Sequence, residues 1–205
     1  MHEFPRGQVI LGTDPDPDLV YFVKAGRVKI STYSPDGKEQ ILALLERGDL
    51  FGELVPTEHG PTRVEAFDYC VVCSLQRAVF EDIIRNTPEV ALQVIRVLAR
   101  RLLAAEREIE DLALRDVPGR LAALLLRLAE EYGEPHGRGI RLALRLTHQD
   151  LANMVGSTRE TITAMINRFR DEGLLIAEQR ILVILDRDKL RAIAFKGKHT
   201  GAGGH

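Results

Sequence analysis

Arg159 and Glu160 stand side by side where an amphipathic segment begins, and together they carry the chemistry of base recognition. A guanidinium donates two hydrogen bonds to guanine O6 and N7, and a carboxylate accepts one from cytosine N4. Thr163, one helical turn on, falls on the same face. The surrounding stretch LTHQDLANMVGSTRETITAMINRFRDEGLL, residues 146 to 175, predicts two short helices broken at Gly156, a helix-turn-helix. Thr147, with Asp150 three residues on and Leu146 able to staple against Leu151, starts the first helix, which runs to Val155. Ser157 or Thr158 caps the second, whose buried stripe is Ile162, Met165, Ile166 and Phe169 and whose end is Gly173. The opposite face is polar: Arg159, Glu160, Thr163, Asn167 and Arg170. In motifs of this kind the N-terminal part of the second helix enters the major groove, which puts Arg159 and Glu160 where base edges lie. A plainer reading stands beside this one. With Ser157 as the cap, Glu160 completes a capping box, and Arg159 is a solvated surface charge.

The elements that must position these residues follow from pattern. LLIAEQRILVIL, residues 174 to 185, is two apolar runs around Glu178, Gln179 and Arg180, and predicts a hairpin, a wing whose tip residue Arg180 would face phosphate. From Pro88 to about Arg115 no Gly or Pro interrupts the chain, and Ile95, Leu98, Leu102, Ala105, Ile109 and Leu112 recur in steps of three and four. Such a heptad seam fits a helix paired with another copy, or one packed on its own domain. It leaves Arg100, Arg101, Arg107, Glu108 and Glu110 for solvent. Asp116, Val117, Pro118 and Gly119 mark a hinge before GRLAALLLRLAEEYG opens the next domain. The Gly-rich tail AFKGKHTGAGGH, from Ala194, is expected to be disordered, with a basic arm through Lys196 and Lys198 as the alternative.

Charge is divided along the chain. Residues 1–116 hold 14 Lys+Arg against 20 Asp+Glu, a balance of −6, whereas residues 117–205 hold 14 against 10, a balance of +4, so only the second part has the sign for a polyanion. At 205 residues, 45% hydrophobic and 28% charged, the chain has ordinary globular composition with room for one or two domains. No run of 18 apolar residues occurs and MHEFPRGQ lacks the apolar stretch of a signal peptide, so a cytoplasmic protein without a membrane partner is expected. Cys70 and Cys73 form a CxxC, but in the strand-like VEAFDYCVVCSL an offset of three sends them to opposite faces, and they read as core thiols. Catalysis is not expected: the chain has no P-loop, HExxH or GxSxG pattern, and six scattered His offer no metal spacing.

These motifs together resemble the CRP/FNR family of bacterial transcription regulators over nearly the whole chain. GSTRETITAMINRFRDEGLL is similar to the family's recognition-helix signature, and the N-terminal part repeats its pattern of strands separated by Gly12, Gly26, Gly37, Gly48 and Gly52. The resemblance implies an α+β fold: a double-stranded β-helix (β-roll) over 1–87, a dimerisation helix over 88–116, a winged helix-turn-helix over 117–194 and a tail over 195–205. It also implies a parallel homodimer that sets two recognition helices about one duplex turn, roughly 34 Å, apart on a palindrome. By the same resemblance Arg159 and Glu160 match base readers, while Thr147, Gln149, Thr158 and Thr161 match phosphate contacts. A third reader, an Arg in relatives, is Ala164 here, so Thr163 or Asn167 is left to take part of that role. The stretch EYGEPHGRG, residues 131–139, corresponds to a surface with which relatives touch RNA polymerase and reads as an exposed loop.

No cofactor is expected, and cyclic AMP least of all. In members that respond to it, a Gly-Glu-Leu segment and a following Arg-Ser pair hold the nucleotide. Gly52, Glu53 and Leu54 match the first, but Gly60 and Pro61 fall where the Arg and Ser should be, and Arg63, a substitute cation, begins a new strand. A buried phosphate without these partners would be uncompensated. Ala105 and Glu106 stand where Thr and Ser meet the adenine. A ligand-gated regulator using the pocket around Glu53 is the alternative. The Cys cluster of an iron-sulfur sensor is absent, and His2 and His59 read as surface residues rather than haem ligands.

Overall fold

A computed structural model describes residues 1–12, 16–52, 62–137, 139–178 and 181–196. Glu53, Leu54, His59, Gly60, Pro61, Arg180, Lys198 and the tail from 197 onward lie outside the described residues. The chain divides into two compact units, Met1–Ala105 and Glu106–His205.

The first unit is built from β1 (His2–Phe4), β2 (Val9–Leu11), β3 (Leu19–Ala25), β4 (Val28–Tyr33), β5 (Glu39–Leu45), β6 (Leu50–Phe51), β7 (Thr62–Ala66) and β8 (Cys70–Gln76). They form two antiparallel four-stranded sheets, ordered β1-β8-β3-β6 and β2-β7-β4-β5. Side chains of a strand alternate between faces, and the inward ones from both sheets meet in one core: Val23, Phe51, Cys70 and Val72 from the first, Leu11, Val28, Leu45, Val64 and Ala66 from the second. The five glycines of the sequence pattern all fall between strands. Gly26 shows why one of them must be glycine: its φ is 70°, and a Cβ there would sit 2.1 Å from the Tyr69 carbonyl oxygen. Cys70 is fully buried and Cys73 half-buried, as the strand alternation requires, and burial pushes the Cys70 thiol up to about 11.

Two helices follow, α1 (Arg77–Asn86) and the 27-residue α2 (Pro88–Leu114). Phe80 of α1 meets the edge of Phe22 in β3, with centroids 5.6 Å apart. In its first half α2 has two apolar faces. Val97 is buried in its own unit, and Arg101, a turn on, is half-buried with its guanidinium donating to the Leu50 carbonyl. Arg101 is therefore not a solvent residue, which corrects the heptad reading, because its guanidinium is drawn in to a backbone carbonyl of β6. The heptad seam lies on another face and is open: Ile95 is 59% exposed, Leu102 61% and Ile109 67%, with Leu98, Ala105 and Leu112 exposed as well.

The second unit holds α3 (Val117–Tyr132), β9 (Gly133–His136), β10 (Gly139–Leu142), α4 (His148–Val155), α5 (Arg159–Asp171), β11 (Leu175–Glu178), β12 (Ile181–Ile184) and α6 (Arg187–Phe195). Its strands make one antiparallel sheet ordered β11-β12-β10-β9. The expected hinge at Pro118 and Gly119 is instead the first turn of α3. Asp116 is the N-cap, its carboxylate accepts from the Gly119 N–H at 2.9 Å, and proline at an N-terminal helical position loses no hydrogen bond. The expected loop at 131–139 contains a hairpin, with Gly139 paired to His136 and Leu142 to Gly133, and its outer strand β9 is exposed throughout. The tail starts later than expected. Ala194 and Phe195 end α6, where Leu190 and Ala194 are buried at helical spacing and Arg115 stacks over the Phe195 ring at 5.4 Å.

No helix of the described residues is long and apolar enough to cross a membrane.

Candidate nucleic-acid interface

Two capped helices and a left-handed turn build the interface. At Thr147 the hydroxyl accepts from the Asp150 N–H at 3.0 Å while Asp150 Oδ2 accepts from the Thr147 N–H at 2.9 Å, a reciprocal capping box that starts α4. Gly156 closes α4 at φ 65°, and the Ser157 N–H returns to the Ala152 carbonyl at 3.0 Å. Thr158 caps α5, its hydroxyl accepting from the Thr161 N–H at 3.2 Å. This decides between the two readings of Glu160: with Thr158 as the cap, Glu160 is the second helical residue and Thr161 the third, so Glu160 takes no part in a capping box. Ile162, Ile166 and Phe169 are fully buried, with Met165 half-buried, and anchor the helix. Burying each apolar side chain stabilises by about 1.5–3 kcal/mol, which fixes the polar face outward.

Along α5 the charged groups separate into two kinds. Arg168 pairs with Glu172 at 2.8 Å and Arg170 with Asp171 at 3.3 Å. Arg159 and Glu160, both exposed in the first turn, have no side-chain partner among the described residues. They keep their hydrogen-bonding capacity for something outside the chain, and the helix N-terminus beside them favours an anion. Thr163 differs from the expectation in one respect. Its hydroxyl donates to the Arg159 carbonyl at 2.8 Å and lies 2.8 Å from Nδ1 of His148. Sequence reasoning missed His148, since a contact between residues 15 apart on different helices has no local signal.

The phosphate-contact candidates lie around the same turn. Thr147 spends its hydroxyl proton on Asp150 Oδ2 at 2.8 Å, so its part in a phosphate contact would require breaking that bond. Gln149 is exposed and donates to buried Asn153 at 2.7 Å. Thr158 and Thr161 share a hydroxyl contact of 2.9 Å, with Thr158 exposed and Thr161 half-buried. The wing is β11 and β12, paired from Leu175 with Ile184 to Glu178 with Ile181.

A charged cluster with no counterpart in the sequence reading joins α3 to the end of α4. Asp111, 6% exposed near the end of α2, bonds Arg115 Nε at 2.6 Å and Arg127 of α3 at 2.5 Å. Arg120 of α3 donates to the Val155 carbonyl at 2.9 Å and the Arg115 carbonyl at 3.0 Å. One clue was present, since Asp111 and Arg115 are spaced i, i+4. Glu108, expected in solvent, is half-buried beside this cluster.

Of the effector residues only Gly52, just after β6, is described. Close to it Arg101 buries its Nε without a partner among the described residues. Arg63 stands in β7 with its guanidinium 3.7 Å from Glu65. Ala105 and Glu106 are exposed. Among the described residues no group of His, Cys, Asp or Glu could hold a metal ion.

Residues 1–87 match the family model of the cyclic nucleotide-binding domain, and residues 119–193 that of the Crp-like helix-turn-helix domain. A curated protein of Mycobacterium tuberculosis (strain ATCC 25618 / H37Rv), named a CRP-like cAMP-activated global transcriptional regulator, is 35% identical over 190 residues, 92% of this chain and 85% of that protein. The chain belongs to the CRP/FNR family of transcription regulators. It is not an enzyme by family. Among solved structures, a CooA mutant from Carboxydothermus hydrogenoformans superposes with a TM-score of 0.83 at 28% identity, covering 94% of this chain and 86% of that one. A CRP/FNR-family regulator of Thermus thermophilus gives 0.77 at 30% identity, covering 94% and 97%. The expected α+β architecture, β-roll followed by winged helix-turn-helix, is the architecture of these relatives.

Proposed function

We propose that this CRP/FNR regulator acts as a homodimer on a palindromic operator, with the first turn of α5 in the major groove and Arg159 and Glu160 reading bases. The observation that carries this reading is the contrast on one helix: Arg168 and Arg170 each face a carboxylate of the chain, whereas Arg159 and Glu160 are exposed and unpartnered among the described residues. Thr147, Gln149, Thr158, Thr161 and Arg180 fix the register on phosphates, so loss of any one weakens binding to all sequences alike. The open seam of α2 supports pairing of two copies, because large apolar side chains at heptad spacing are left in water on a face distinct from the one that packs Val97. The hairpin of β9 and β10 is the surface offered to RNA polymerase, and the cytoplasm is the compartment in which such a protein meets DNA.

The regulator binds its operator without cyclic AMP. This rests on the absence of the Arg-Ser pair and of the adenine-facing hydroxyls from the sequence. A gated reading is favoured by one observation, the M. tuberculosis relative's cAMP-activated name, and Arg101 beside Gly52 would be its cation. Selection of bound duplex from a random pool, followed by calorimetry of the bound and free protein with cyclic AMP, separates the two. A palindrome bound equally with and without the nucleotide supports the ungated form, and heat of binding with a rise in operator affinity overturns it.

A further inference from the structure

Resting on that DNA-reading role, we infer that Thr163 reads thymine through its methyl group, and that His148 is the positioning residue that holds it in the reading rotamer. A threonine hydroxyl has one proton to give. The Arg159 carbonyl can only accept, so its 2.8 Å contact with Thr163 Oγ1 takes that proton. Nδ1 of His148, 2.8 Å away on the other side, must then be the donor, which fixes the imidazole as the Nδ1–H form or its cation. With its proton spent, the hydroxyl cannot donate to a base acceptor such as guanine O6 or thymine O4. Two bonds from different helices also lock the side-chain torsion, because turning it breaks both. With the hydroxyl engaged within the chain, the methyl is the substituent left to meet a base, on a residue that shares its side of α5 with Arg159 and Glu160. Ala164 next to it is exposed and adds a second methyl. Methyl groups at this place in a recognition helix suit the C5-methyl of thymine, the one apolar feature that a base pair shows in the major groove.

The test uses the full chain on the half-site that it selects from random duplex. Each thymine of that half-site is replaced in turn by deoxyuridine, which removes the C5-methyl and leaves every hydrogen-bonding group. One replacement should weaken binding about fourfold, the equivalent of about 0.8 kcal/mol for one buried carbon. Thr163→Val keeps the methyl and should keep that discrimination; Thr163→Ser keeps the hydroxyl and should lose it. His148→Ala should bring the thymine-to-uracil ratio towards one while the protein still binds, and His148→Asn, which restores an N–H donor, should recover it. A half-site indifferent to uracil at every thymine, or discrimination that survives in Thr163→Ser and fails in Thr163→Val, would overturn the inference alone. Failure to bind any duplex would overturn the DNA-reading role beneath it.

Discussion

Arg159→Ala should separate specificity from stability more cleanly than any other change in this protein. The side chain is exposed and bonds nothing among the described residues, so its loss leaves no buried group unsatisfied. As the first residue of α5 it also places a cation at the positive end of the helix, so truncation is neutral or favourable by a few tenths of a kcal/mol. Stability should stay within about 0.5 kcal/mol of the parent, a shift in Tm below about 2 °C. The specificity cost is larger. One bidentate arginine-guanine contact is worth about 1–3 kcal/mol of discrimination, so preference at one G·C pair per half-site should fall by roughly fivefold to 150-fold. Thermal melting and selection from random duplexes read the two quantities independently. Arg168→Ala is the control: it removes an exposed i, i+4 pair with Glu172 worth about 0.3–0.5 kcal/mol and should leave the selected sequence unchanged. An unchanged operator for Arg159→Ala, or a substantial fall in its Tm, would refute the assignment.

Three further outcomes follow from other parts of the chain. Asp111→Ala strands Arg115 and Arg127, both part-buried, and should destabilise by about 2–3 kcal/mol in urea unfolding; a loss below about half a kcal/mol would show the cluster to be incidental. Ile109→Glu puts a charge in the open seam and should convert dimer to monomer in sedimentation while the circular dichroism of the chain is retained; an unchanged dimer would place the interface elsewhere. Gly156→Ala forces a side chain into the left-handed region at φ 65° and should cost about 1–2 kcal/mol, whereas the same change at exposed Gly137 tests how much of that is backbone strain alone.

Much of this architecture is legible in the sequence because its signals are local. The capping box of Thr147 and Asp150, the stripe through Ile162 and Phe169 and the strand-bounding glycines depend on residues a few positions apart, and each was where the pattern put it. What was not legible depends on distant partners. Pro118 and Gly119 look like a hinge until the Asp116 cap is seen to fold them into α3, and Arg101 looks like a surface charge until a carbonyl 51 residues away accepts from it. The β9–β10 hairpin was missed because Gly, Pro and His in EYGEPHGRG carry no strand alternation; its pairing partner β12 supplies the order. Helical spacing puts Thr163 on the polar face of α5, but its hydroxyl is held by His148 of α4, a contact that spacing cannot reveal.

The measurement that bears most directly on the central claim is a titration of the selected palindromic duplex with the full chain at a series of salt concentrations, with the number of chains per duplex counted at saturation. Two chains per palindrome, and log affinity falling linearly with log salt, is the predicted result. One chain per site, or binding indifferent to salt, would contradict the account.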